Sequence, residues 1–194
     1  MSTRDEKGAK LAKAFEDFLR AVDKSPGRYP ELLDTPVRAS TMWLDDLLDG
    51  YEREPRDILS GGSPSSPEQG MVIIRDVFFH SACPHHLLPY TGVAHVAYIP
   101  SDRIIGFSNI TRLVDCFAHR LLLQEEIGQL VTEALLEHLG AKGAACLLDA
   151  EQLCMIVRGV RKQGSRAITT SWAGAFADDS SLRMEFLTAI NAQE

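Results

Sequence analysis

Met71-Val72-Ile73-Ile74-Arg75-Asp76-Val77-Phe78-Phe79 and Val93-Ala94-His95-Val96-Ala97-Tyr98-Ile99 are rich in Val, Ile, Phe and Tyr. They read as two strands, and between them stands the turn Ser81-Ala82-Cys83-Pro84-His85-His86. A thiol and two imidazoles within four residues is a dense set of metal ligands. Cys83 and His86 would bind one ion from a tight turn, and His85, pointing elsewhere, would stay free for proton transfer. A catalytic zinc site needs a third protein ligand, and the candidate is Cys154 in Gln152-Leu153-Cys154-Met155. Two blander readings stand beside it. One is a closed structural zinc site with Cys116, Cys146 or His80 as fourth ligand; the other is a pair of buried thiols with a core histidine. Cys116 and Cys146 fall inside apolar patterns and read as small buried hydrophobes.

Outward from this centre, Ser108 reads as the N-cap of a helix through Arg120 that buries Ile110, Leu113, Val114 and Phe117. A second helix runs from Gln124, turns Ile127, Leu130, Val131, Ala134 and Leu135 inward, and stops at Gly140. Gly143 to Asp149 and Cys154 to Val160 return to strand character, Ala167 to Trp172 suits a short strand, and Ser181 to Asn191 a terminal helix. Upstream, Leu11, Ala14, Phe15, Phe18, Leu19 and Val22 mark an amphipathic helix ending near Lys24 to Pro26. Thr35-Pro36 reads as N-cap and first helical residue of another, which stops at Gly50. Ser60 to Gly70, rich in Ser, Gly and Pro, reads as a mobile loop. The expected organisation is an N-terminal helical region at 1–60, a flexible loop at 61–70 and a catalytic region at 71–194, all one structural unit. The element order predicts an α+β domain, an antiparallel sheet with helices on one face. Its open edges would be closed by joining sheets into a barrel across subunits.

The 194 residues suffice for one domain burying about 70% of the unfolded surface. A net charge of -7 without runs of like charge gives no support for a nucleic-acid or anionic-membrane partner. An anionic substrate would need a local basic pocket. The apolar runs fall short of a membrane span, and Ser2 to Lys10 reads as a charged helix start without a signal-peptide core, so the expected location is cytoplasmic.

The chain resembles the GTP cyclohydrolase I family in six ordered segments. These are Asp34-Thr35-Pro36-Val37-Arg38, Cys83-x-His85-His86, His95-Val96-Ala97-Tyr98-Ile99-Pro100, Ile105-Gly106-Phe107-Ser108, Gln124-Glu125, and Cys154 followed by Arg158-Gly159-Val160-Arg161. The resemblance implies the tunnelling fold, a homo-oligomer built as a decamer of two stacked pentamers, and Zn2+ as cofactor. It implies the reaction of GTP and water to 7,8-dihydroneopterin triphosphate and formate, the opening step of folate and pterin synthesis. Cys83, His86 and Cys154 would hold the metal, His85 would move protons, and Glu125 would meet the guanine edge with Gln124 and Ser108 close by. Arg112 and Arg158 would hold the triphosphate.

Three positions depart from the family pattern. Gln152 stands at a catalytic position where the family has a histidine that serves ring opening and formate loss, and glutamine does not titrate near neutral pH. Asn109 replaces a triphosphate-binding lysine, and Pro84 replaces a glutamate. His80 is a candidate to compensate for the lost imidazole if its strand turns it toward the pocket. Besides the full reaction, these departures leave two other readings open: a purine-ring hydrolase that stops at the ring-opened formamide, and a non-catalytic nucleotide-binding assembly partner.

Overall fold

The computed structural model describes residues 3–66 and 68–192, so Ser2 and Pro67 of the segments above lie outside the described residues. Two compact units divide between Asp49 and Gly50. In the first, helix α1 (Thr3–Ala21) packs against α2 (Thr35–Met42), which continues as a wider turn through Leu47. Ser40 Oγ donates to the carbonyl of Gly8 at 2.8 Å, and Arg4 pairs with Asp45. Asp34, not Thr35, occupies the N-cap position of α2; Thr35 and Pro36 are the first helical residues, where proline's missing N–H has no acceptor to lose.

The second unit holds α3 (Pro55–Ile58), β1 (Ser63–Pro64), β2 (Val72–Ala82), β3 (Pro89–Ile99), β4 (Arg103–Ile104), α4 (Phe107–Ala118), α5 (Gln124–Ala134), β5 (Gly143–Gln152), α6 (Leu153–Ile156), β6 (Ala167–Gly174), α7 (Ala175–Asp178) and α8 (Ser180–Asn191). Among the described residues, β2-β3-β5-β6 form one antiparallel sheet, and β1 pairs with β4. Of that small pairing, β1 lies within the Ser-Gly-Pro segment. Gly62 precedes it at φ +97, where a Cβ would stand 2.3 Å from the carbonyl oxygen of Ile104, so only glycine fits.

Strand alternation sets the two faces of the sheet. Phe79, Tyr90, Ala94, Val96, Tyr98, Cys146 and Leu148 point to one face and bury against Ile110, Leu113, Val114 and Phe117 of α4 and Ile127, Val131 and Leu135 of the α5 helical region. This is the α+β antiparallel sheet that the element order predicts, with α4 and α5 on one face; the expectation of helices on one face alone is corrected by α7 and α8, which cover part of the other. Ala97 and Ala145 point to the opposite face, where Trp172, Phe176 and Phe186 close a smaller cluster beneath α8. Helix α4 starts from an N-cap at Gly106, so Ser108 is a first-turn residue and not the cap.

A larger difference concerns Cys154 to Val160, which is not a strand. The ladder of β5 ends at Gln152, the chain makes the single turn of α6, and Gly159 and Arg161 then adopt φ of +59 and +48. The apolar alternation there is real, but no neighbouring strand continues far enough to pair with it. Ala167–Gly174 takes the place beside β5.

Candidate functional site

The β2–β3 connection is a turn tied at both ends. Cys83 N–H donates to Leu88 O at 2.9 Å, Leu87 N–H returns to Cys83 O at 2.8 Å, and Leu87 sits in the left-handed region at φ 52. These bonds do not use the backbone nitrogen of residue 84. Pro84 therefore costs no hydrogen bond and stiffens the turn that carries both imidazoles. On the far side of β3, the one-turn helix α6 swings Cys154 back across the sheet end. Ligand atoms of Cys83, His86 and Cys154 lie within 4.8 Å of one another, with Cys83 buried, Cys154 half-buried and His86 exposed. Two thiols and an imidazole at such spacing form a possible metal site, which fits soft or borderline divalent ions. Burial and the neighbouring Cys83 push the Cys154 thiol's pKa up, with Arg158 pulling the other way. Arg158 Nη1 donates to Nε2 of His86, which brings a fixed positive charge to the edge of the cluster.

A cavity of ≈ 250 Å³ opens beside this cluster, lined by Cys83, Pro84, His85, Tyr90, Gln124, Glu125, Gln152 and Cys154 with Leu122, Leu123, Met155 and Ala167. Its polar floor is a chain of amides. Gln124, only 4% exposed, donates from Nε2 to the carbonyls of Leu148 (3.1 Å) and Ala167 (2.9 Å). Its Oε1 accepts from Nε2 of Gln152 at 2.8 Å. Both of Gln124's donors are thus spent on backbone, which fixes its flip and in turn the flip of Gln152, whose Oε1 is left as an acceptor. Glu125, in the first turn of α5, is exposed at the cavity's edge.

Not every sequence candidate gathers here. Ser108, Asn109 and Arg112 lie in the first turns of α4 and do not line the cavity; Arg112 Nη1 instead donates to Asn109 Oδ1 at 3.3 Å. The other end of α4 is the one near the metal cluster, because His119 stacks on His80 with ring centroids 4.3 Å apart. Along the helix axis, His119 stands about 16 Å from Ser108 and about 10 Å from Arg112. The same stacking directs His80 to His119, and it does not line the cavity. Cys116 and Cys146 are buried away from the cluster: Cys116 receives Arg120 Nη2 at 3.3 Å, and full burial pushes the Cys146 thiol to about 12.

Sequence reading missed Tyr90. Extending the alternation of β3 back to Pro89 puts its side chain on the inner face, directly across from Gln152 on one side and Ser81 on the other.

Comparisons with known proteins show the family to which the chain belongs. Residues 11–191 match the family profile described as GTP cyclohydrolase I. The GTP cyclohydrolase 1 of Campylobacter lari is 39% identical over 183 residues, covering 94% of this chain and 95% of that protein. That of Ralstonia nicotianae is 45% identical over 156 residues, covering 80% and 74%. The Pseudomonas aeruginosa protein named GTP cyclohydrolase 1 1 is 40% identical over 180 residues, covering 93% and 96%. Among solved structures, an archaeosine synthase QueF-Like in the apo form is similar at 17% identity and TM-score 0.46, covering 57% of this chain.

Proposed function

The chain belongs to the GTP cyclohydrolase I family and is a hydrolase acting on GTP; from that premise we propose that it converts GTP and water to 7,8-dihydroneopterin triphosphate and formate at a zinc centre. The observation that carries the reading is the convergence of Cys83, His86 and Cys154 beside a cavity edged by Glu125 and floored by Gln152. This donor set suits zinc with one position left open, and zinc bound there would polarise an oxygen ligand and lower the pKa of water toward neutrality.

The chain's own residues would do the remaining work. The Glu125 carboxylate accepts the N–H groups of the guanine edge. His85, exposed on the stiffened turn, gives and takes protons as the imidazole ring opens. Arg158 supplies positive charge for the phosphates of GTP. The separation of Ser108, Asn109 and Arg112 from the cavity supports a homo-oligomer in which a neighbouring copy brings its α4 to this site. A decamer of two pentamers is the assembly we propose. No described helix is long and apolar enough to cross a membrane, and we propose a cytoplasmic enzyme.

A second reading rests on Gln152. Held by Gln124 and unable to titrate, it would let a diverged enzyme stop at the ring-opened formamide. Incubating zinc-loaded protein with GTP while following formate and pterin absorbance separates the two. Formate with pterin supports the full reaction, and ring-opened product without formate supports the second reading. Neither product over a range of purine nucleotides overturns both.

A further inference from the structure

Where the family pattern puts a titrating imidazole, this chain puts an amide, and beside that amide stands a phenol. Tyr90 is 2% exposed, and its ring packs edge-on against Phe79 with centroids 6.1 Å apart. Its hydroxyl is buried and its polar neighbour is Ser81 Oγ across the strand; among the described residues neither hydroxyl makes a well-formed hydrogen bond, and a contact between the two still leaves the pair one donor without an acceptor. A buried donor without an acceptor costs about 1–3 kcal/mol, so such a group stands out unless something else occupies it.

Its surroundings say where that something lies. Tyr90 pairs with Gln152 in the β3–β5 register, so the two side chains rise from the same face of adjacent strands. Both line the cavity, with Cys83 and Cys154. Burial raises the phenol's pKa to about 12; a hydrogen-bonding contact with the Ser81 side chain opposes this, and the charges of Cys83, Glu125 and Glu126 add to it. The phenol therefore keeps its proton at neutral pH. Nε2 of Gln152 is directed to Gln124, and no hydrogen bond joins the Gln152 amide to the phenol.

We propose that Tyr90 is a catalytic hydrogen-bond donor in this chain, placed beside the position of the missing imidazole and aimed at the formyl oxygen of the ring-opened substrate. The inference rests on the GTP ring-opening reading above. In the step concerned, a water oxygen adds to the formyl carbon and negative charge builds on the formyl oxygen. The carbon–nitrogen bond then breaks, the nitrogen leaves as an amine carrying one proton of the water, and formate is released as the other proton passes to solvent. Tyr90 donates a hydrogen bond to the charged oxygen throughout and transfers no proton, so a phenol that does not titrate near pH 7 suits the task. A donor set in a water-poor wall costs no reorganisation when the charge appears.

Tyr90→Phe removes one oxygen and preserves the ring that packs on Phe79. With wild type and variant both loaded with zinc, GTP consumption, ring-opened formamide, formate and bound zinc are measured separately, together with the melting temperature. The expected result is formate release slowed by about 10² to 10³-fold, as for loss of one oxyanion donor. Formamide should accumulate while GTP consumption, zinc content and KM stay close to wild type, and the melting temperature should hold or rise. Formate release at the wild-type rate overturns the proposal. So does a variant that loses zinc or slows GTP consumption and formate release equally, because the hydroxyl then serves the metal cluster or the fold. A wild-type protein that consumes no GTP overturns the functional reading itself and this inference with it.

Discussion

Replacing Gln124 with leucine tests whether the amide chain under the cavity is built as its hydrogen bonds indicate. The side chain is almost fully buried and makes three such bonds: two donated to the carbonyls of Leu148 and Ala167, and one accepted from Gln152. Leucine keeps the volume but removes all three. Gln152 is half-buried and can turn its NH2 group to water, so its loss costs little. The two carbonyls keep only whatever other partners they have, and the sum is about 2–4 kcal/mol. For a chain of this size that lowers the melting temperature by about 5–15 °C. Gln152→Ala removes only the outermost bond, and its expected cost is about 1 kcal/mol or less. Thermal and urea unfolding of both variants measure the difference. If Gln124→Leu proves no more costly than Gln152→Ala, the inner amide is not anchoring the outer one, and the fixed orientation assigned to Gln152 is refuted.

Three further outcomes are expected. Gln152→His restores a titratable group to the cavity wall and should raise formate release, by up to about 10² to 10⁴-fold where that proton transfer limits the rate; an unchanged rate shows that position 152 does not limit turnover. Cys154→Ser removes one of two thiolate ligands, so zinc retained after dialysis should fall well below the wild-type level by elemental analysis, and full retention would show that the Cys83–His86–Cys154 cluster is not the binding site. His95 is buried, which lowers its pKa, and its Nδ1 accepts the N–H of Asp76 at 3.3 Å. The folded state thus favours neutral His95, a contribution present above the unfolded value of about 6.5 and lost as pH falls through the lower folded value. Stability should decline from pH 7.5 to pH 5, and the decline should shrink in His95→Gln; an identical pH profile in the variant would remove His95 from the account.

Much of the molecule is legible without coordinates. The β-rich segments on either side of Cys83, the apolar stripes of α4 and α5, and the stop at Gly140 are local patterns of period 2 and 3.6, and such patterns survive in one dimension. The metal candidates were legible for a similar reason, since Cys83 and His86 are nearly adjacent and Cys154 stands in a recognisable segment.

Pairing and reach are not local. Whether Cys154 to Val160 becomes a strand depends on a neighbour to bond with, and β3 ends its ladder with β5 at Tyr90–Gln152. Which of two paired side chains share a wall depends on register, so Tyr90 joined the site only once β3 was laid beside β5. His80 turned out to stack on His119 and not to line the cavity, and Ser108, Asn109 and Arg112 proved to lie outside the cavity's lining. The sequence by itself determined the element types, the α+β class and the identity of the ligand turn, because these follow from neighbours along the chain. Only the tertiary structure decided which residues meet at the cavity and which atoms of Gln124 and Gln152 face each other. Those outcomes are set by hydrogen-bond partners drawn from strands far apart in sequence.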